Sequence, residues 1–244
     1  MLSRFKVYES ISKRVRIMTC IYCFKKITKT LSWENVILGY RKKELCLECT
    51  HSFVKLITPK CDVCAAESKL NYCADCKEWS KKYNHQDVLI KNYSNYKYND
   101  FAKQYITNWK YRGDFILIEG IRELIDPNLK NKLIELAKTH TIVPIPLSKT
   151  RLSERAFNQA ALIASLIGEI DETLLSRIDN QKQSKKTKQE RINTINNFKV
   201  NKKVSGKILL VDDIYTTGAT IRQAASLLKE NGASEVRSFT FIRS

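Results

Sequence analysis

Several features are scarce in this chain of 244 residues, and each scarcity excludes something. No apolar run is long enough to cross a bilayer, and the first residues lack the apolar core of a signal peptide. No membrane insertion is expected, and a cytoplasmic location is. Histidine occurs only as His51, His85 and His140, none of them in a motif, so no histidine-centred catalytic site is expected. Besides Met1 the one methionine is Met18. It is expected as the native start, leaving 1–17 as a basic N-terminal extension. Acid is short as well: 25 Asp+Glu against 43 Lys+Arg leave a formal charge of +18. A positive surface favours a polyanionic partner such as nucleic acid, or an acidic membrane surface. A generally basic, AT-rich proteome, in which glycine is also scarce at 7 residues, is the plainer account of the same charge.

Cysteine is the exception to this pattern. All eight fall between Cys20 and Cys76 as four Cys-x-x-Cys pairs: Cys20/Cys23, Cys46/Cys49, Cys61/Cys64 and Cys73/Cys76. In a reducing compartment such pairs point to metal ligation rather than disulfides. Two pairs complete one tetrahedral Zn²⁺ site, so four supply two structural sites. Pairing first with second and third with fourth gives two ribbons in tandem over 18–80, whereas interleaved pairing gives a cross-brace. The short loop from Cys64 to Cys73 favours the tandem. A thiol switch is the redox alternative. His51 to Pro59 is read as a connector whose apolar residues pack between the ribbons.

The second domain is expected over 86–244. Asp87 to Tyr93 reads as a strand. Phe101, Tyr105 and Trp109 share one face of a helix ending before Gly113, in the basic run Lys110-Tyr-Arg-Gly-Asp114. Helical spacing continues from Ile116 to Lys138 with a break near Pro127. Thr141 to Lys149 is a strand running into a loop, its prolines suited to a strand end or a sheet edge. A helix follows with Ala156, Ala160, Ile163, Ala164 and Ile167 on one face and Ser153 as N-cap. The basic, apolar-poor stretch 177–207 is read as a mobile loop or arm, either a flap over a ligand or a grip on a polyanion. Lys182, Lys185, Lys186, Lys188 and Arg191 are its nucleic-acid candidates. Glu235 to Ile242 is the last strand.

The chain is organised around Ile208-Leu-Leu-Val-Asp-Asp-Ile-Tyr-Thr-Thr-Gly-Ala-Thr220. Four apolar residues read as a buried strand, and Ile221, Ala224, Ala225 and Leu228 give the following helix its apolar face. Thr216, Thr217, Gly218, Ala219 and Thr220 set hydroxyls and backbone N–H groups at that helix's N-terminus, where a phosphate is favoured. Asp212 and Asp213 sit at the carboxyl edge of the sheet, suited to vicinal sugar hydroxyls or to Mg²⁺. The ligand implied is a sugar phosphate. Arg151 and Arg155, following the strand end at Thr141 to Lys149, suit a pyrophosphate.

This string resembles the signature of type I phosphoribosyltransferases, which bind 5-phosphoribosyl-1-pyrophosphate (PRPP). The run from Val143-Pro-Ile-Pro-Leu-Ser-Lys149 through Arg151, Arg155 and Gln159, with Lys110 to Asp114 and the cysteine pairs, resembles the ComF family more specifically. The resemblance implies an α/β type I phosphoribosyltransferase fold, a mostly parallel sheet flanked by helices, behind a small double zinc ribbon. It implies that Asp212 and Asp213 meet the ribose hydroxyls, that Thr216 to Thr220 hold the 5-phosphate, and that Ser148, Lys149, Arg151 and Arg155 surround the pyrophosphate. Residues 183 to 198 would be the flexible loop. Ala156 departs from the glycine usual in the family's run. A role in natural transformation is implied too, with single-stranded DNA and a helicase-type protein as partners. Two alternatives remain: an active transferase of unknown acceptor in nucleotide metabolism, and a zinc-dependent docking scaffold. The cover over the acceptor is expected from upstream, from 77–115 or from the cysteine module.

Overall fold

The computed structural model describes residues 18–27, 43–178 and 197–244. The extension 1–17 and the arm candidates Lys182, Lys185, Lys186, Lys188 and Arg191 lie outside the described residues. The helices are α1 Leu47–Ser52, α2 Ala74–Lys82, α3 Asp100–Tyr111, α4 Leu117–Leu124, α5 Pro127–Ala137, α6 Lys149–Arg155, α7 Gln159–Ser165 and α8 Ala219–Glu230. The strands are β1 Lys91–Lys97, β2 His140–Pro144, β3 Leu175–Arg177, β4 Phe198–Val200, β5 Gly206–Tyr215 and β6 Ala233–Arg243.

Four strands form a parallel sheet in the order β1-β6-β5-β2. Apolar side chains on both faces of β5 and β6 account for their central places: Leu209 and Val211 lie in one core with Phe239 and Phe241, while Ile208 and Leu210 lie in the other with Val236. β2 takes the edge, and Pro144 ends it, as the prolines require.

β1 begins four residues later than the sequence suggests. The apolar run Val88-Leu89-Ile90 mimics a strand, but the paired residues bury polar side chains instead. Asn92 and Ser94 are buried and hydrogen-bonded to Ser238 and Thr240 of β6, so every member of this cluster finds a partner. The connector His51 to Pro59, with the turn that follows it, also departs from expectation. It lies along the open edge of β1, where Lys97 N–H donates to the Val54 carbonyl (2.8 Å) and Asn92 N–H to the Val63 carbonyl (2.6 Å). Its Phe53 packs on Tyr96, Phe101, Tyr105 and Phe241. An edge that would otherwise present unpaired backbone is thereby covered.

The helix expected after the β2 loop is two helices. Ser148, not Ser153, caps α6, its Oγ accepting from Arg151 N–H, and the helix ends at Ala156 in the left-handed region (φ 64°). Asn158 then caps α7, and Ser153 is an exposed residue inside α6. The described parts of 177–207, residues 177–178 and 197–207, are not an arm. β3 and β4 pair antiparallel, with Arg177 opposite Phe198, and Phe198 and Val204 are buried in the core. These few apolar residues suffice to anchor 197–207.

Candidate active site and metal centres

The cysteines form two groups, Cys20/Cys23/Cys46/Cys49 and Cys61/Cys64/Cys73/Cys76, each with all four sulfurs within 4.8 Å of one another. This is the tandem pairing. Sulfurs on a tetrahedral Zn²⁺ at about 2.3 Å stand about 3.8 Å apart, whereas a disulfide needs about 2.05 Å. The observed separations, 3.5 Å for Cys23–Cys46, 3.6 Å for Cys64–Cys73 and 3.8 Å for Cys61–Cys76, fit the tetrahedron.

The two groups are copies of one design. In each, the first pair sits on a tight turn closed by a short antiparallel bridge, Thr19 with Lys26 and Lys60 with Glu67. The residue after the second cysteine is left-handed in both, Phe24 and Ala65 at φ 60°. The second pair starts a helix, with Cys46 and Cys73 as N-caps of α1 and α2. The first group packs in one core with α3 and α4, where the Glu123 carboxylate accepts from Glu44 N–H (2.8 Å) and Leu45 N–H (3.3 Å). The second packs in the other core with α8.

At the head of β5 the strand runs on past the acidic pair to Tyr215, which pairs with Arg243. Asp212 Oδ1 accepts from Asp213 N–H and Asp213 Oδ1 from Ile214 N–H, both at 2.9 Å, which holds the two carboxylates close to the backbone. Asp213 is buried and forms an ion pair with Lys110 at the end of α3. Asp212 is pushed up to about 8, chiefly by burial and next by the charge of Asp213, with Lys110 pulling the other way. Two adjacent carboxyls with one lysine, paired to Asp213, are short of positive charge, which suits taking up a cation or binding sugar hydroxyls.

The loop that follows starts α8. Thr216 and Thr217 are exposed, and Gly218 has φ 78°. A Cβ at Gly218 would overlap the Tyr215 hydroxyl and the Arg222 guanidinium, so glycine is required here on both counts. Lys149 and Arg151 are exposed on α6. Arg155 is buried instead: it donates to Gln159 Oε1 (3.2 Å) and to the Tyr111 hydroxyl (3.4 Å), and lies over the Tyr111 ring. Buried donors Arg155 Nε and Gln159 Nε2 find no acceptor among the described residues. The last turn of α3 thus joins the two halves of the site, with Lys110 on Asp213 and Tyr111 on Arg155.

Sequence reasoning missed Trp79, Asp87, Arg222 and Arg243. Arg222 is fully buried and held by Asp87 (Nη2–Oδ2 2.6 Å), while Trp79 Nε1 donates to the Thr217 carbonyl (2.9 Å). A charged residue between Ile221 and Ala224 on an apolar helix face was the available signal. His140 is buried against the Leu136 carbonyl and Glu235, a packing role that matches its lack of a motif.

The phosphoribosyl transferase domain family matches residues 155–244. The chain is 35% identical over 231 residues to Competence protein ComFC of Bacillus subtilis (strain 168), covering 93% of this chain and 95% of that protein. It is 31% identical over 229 residues to Competence protein ComFC of Streptococcus pneumoniae (strain ATCC BAA-255 / R6), covering 93% and 100%. DNA utilization protein YhgH of Escherichia coli O157:H7 is 28% identical over 110 residues, 42% of this chain and 48% of that protein. Two relatives above 30% identity, each aligned over nearly the whole of both chains, establish that this protein belongs to the ComF family.

Proposed function

We propose that this protein binds PRPP with Mg²⁺ at the head of β5 and acts in DNA uptake during natural transformation, holding single-stranded DNA on its basic surface in the cytoplasm. The observation that carries the ligand is the adjacency of Asp212 and Asp213 to the exposed Thr216 and Thr217 and to Gly218 at the start of α8. Carboxylates suited to the ribose hydroxyls and Mg²⁺ stand beside a helix start suited to the 5-phosphate. Lys149, Arg151 and the unpaired donors of Arg155 and Gln159 favour the pyrophosphate. Two relatives bear the name competence protein and a third the name DNA utilization protein, which supports the biological role. No helix among the described residues is long and apolar enough to cross a membrane.

The test is calorimetric titration of PRPP with Mg²⁺ into the zinc-loaded protein and into an Asp212→Ala/Asp213→Ala variant. A hydrogen bond to a charged group contributes about 1.5–3 kcal/mol, so losing both carboxylates should weaken binding roughly 100-fold or more. Equal binding by the variant would remove the assignment. For DNA, single-strand affinity should fall linearly in log–log form with salt, and no binding at low salt would remove that part.

The complete run from Asp212 to Thr220 also favours an active transferase, in which a nucleophile displaces Mg²⁺-bound pyrophosphate from C1 of the ribose. The protein's part is to hold the ribose and neutralise the leaving group. Release of pyrophosphate from PRPP with any base, amine or DNA end would support this reading, and its absence across such a screen would leave a binding module.

A further inference from the structure

Arg243, the penultimate residue, is buried and shares its donors between the second cysteine group and the loop after β5. Nε donates to the Cys64 carbonyl (3.0 Å) and Nη2 to the Cys64 sulfur (3.5 Å). Nη1 donates to the Thr216 carbonyl (2.9 Å) and the Tyr215 carbonyl (3.4 Å). Arg222 behaves similarly, with Nη2 on the Cys76 sulfur (3.4 Å) and Nη1 on the Tyr215 hydroxyl. Trp79, three residues beyond Cys76, donates to the Thr217 carbonyl and stacks on Arg222 at 5.3 Å. The carbonyls of Tyr215, Thr216 and Thr217 are therefore all drawn toward the second group.

A planar trans peptide points its N–H opposite to its C=O. Drawing those three carbonyls back turns the N–H groups of Thr216, Thr217 and Gly218 the other way, away from the cysteines. Four thiolates on one divalent ion make a dianionic centre, and two buried guanidiniums bonded to its sulfurs offset part of that charge, Arg222 being shared with Asp87. The first group's ties run instead to α4 through Glu123.

We propose that the metal of the second cysteine group is a positioning element of the phosphate loop: through Arg243, Arg222 and Trp79 it sets the peptide planes of 215–218 so that their N–H groups face the bound anion. This rests on the reading of that loop as a PRPP site. The two metal sites then differ in role, the first serving stability alone and the second serving ligand binding as well.

The experiment follows the indole N–H resonance of Trp79 by ¹H–¹⁵N NMR, assigned with Trp79→Phe, together with zinc content and PRPP titration. Emptying the second site with Cys61→Ser/Cys73→Ser should move the Trp79 resonance and weaken PRPP at least tenfold. Emptying the first with Cys20→Ser/Cys23→Ser should lower the melting temperature but, in the protein that remains folded, leave the resonance in place. Arg243→Gln, which keeps all eight cysteines, should retain two zinc ions yet weaken PRPP about tenfold, the loss of one charged hydrogen bond. That variant decides the matter should the emptied ribbon fail to fold. An unmoved Trp79 resonance with unchanged PRPP affinity in Arg243→Gln overturns the inference. A Trp79 shift without PRPP binding by the zinc-loaded protein overturns the ligand reading and keeps the coupling of metal to loop.

Discussion

Lys110, in the last turn of α3, forms an ion pair with the carboxylate of Asp213 at the head of β5. One lysine faces two acids. Asp213 is buried with its charge partner, and the half-buried Asp212 beside it bears the repulsion, so the pair is suited to a cation.

That imbalance has a pH signature. Burial and Asp213 raise Asp212 to about 8 in the folded protein, whereas an unfolded aspartate titrates near 3.8. The native state therefore binds more protons between these limits, and stability falls as pH rises from about 4 to about 8, then levels. Thermal melts across this range should show the decline, and Asp212→Asn should abolish it. Mg²⁺, which competes with the proton, should bind more tightly with rising pH up to about 8. A flat melting profile in the parent protein contradicts the assignment.

Gly218→Ala should destroy the site while sparing the metal centres. The added methyl meets Tyr215 and Arg222 and the φ of 78° strains it further, so the loop must shift. Calorimetry should give no measurable PRPP binding, and elemental analysis should still give two zinc ions per chain.

Ala156→Gly should have the opposite sign. A left-handed alanine costs roughly 1–2 kcal/mol, and glycine's extra freedom in the unfolded chain costs roughly 0.5–1 kcal/mol. The substitution at φ 64° should therefore raise stability by about 0.5–1 kcal/mol in denaturant titrations. A destabilised variant would show that the left-handed turn after α6 is wrong.

Withdrawing metal should unfold more than the ribbons. Structural zinc contributes about 10–16 kcal/mol in small modules, as much as the net stability of a whole domain. Cys20, Cys46 and Cys49 lie in the same core as Tyr105, Leu117 and Ile121 of the α/β part. A strong chelator should lower the melting temperature of the entire chain, with two zinc ions released. A second, unshifted transition from the α/β part would mean that the shared core contributes little.

Local pattern carried much of the fold. Leu209 and Val211 announce a buried strand, Ile221 and Leu228 the helix after it, and the Cys-x-x-Cys spacing announces two tetrahedral groups, because period and ligand geometry are short-range properties. Pattern misled where burial was polar. β1 buries Asn92 and Ser94 against Ser238 and Thr240, a face without apolar periodicity, and the break at Ala156 depends on a backbone angle that alanine does not advertise.

The sequence by itself therefore determined which groups stand ready for a ligand or metal: adjacent carboxylates, a threonine-glycine loop at a helix start, and eight thiols in four pairs. Only tertiary structure decided what those parts do to one another. Lys110 and Asp213 are 103 positions apart, and Arg243 stands 179 positions from Cys64. No local rule links residues so distant. They meet because the parallel sheet sets the β5 loop and the end of β6 at one edge, from which the Arg243 side chain reaches Cys64 while Trp79 reaches back to the loop.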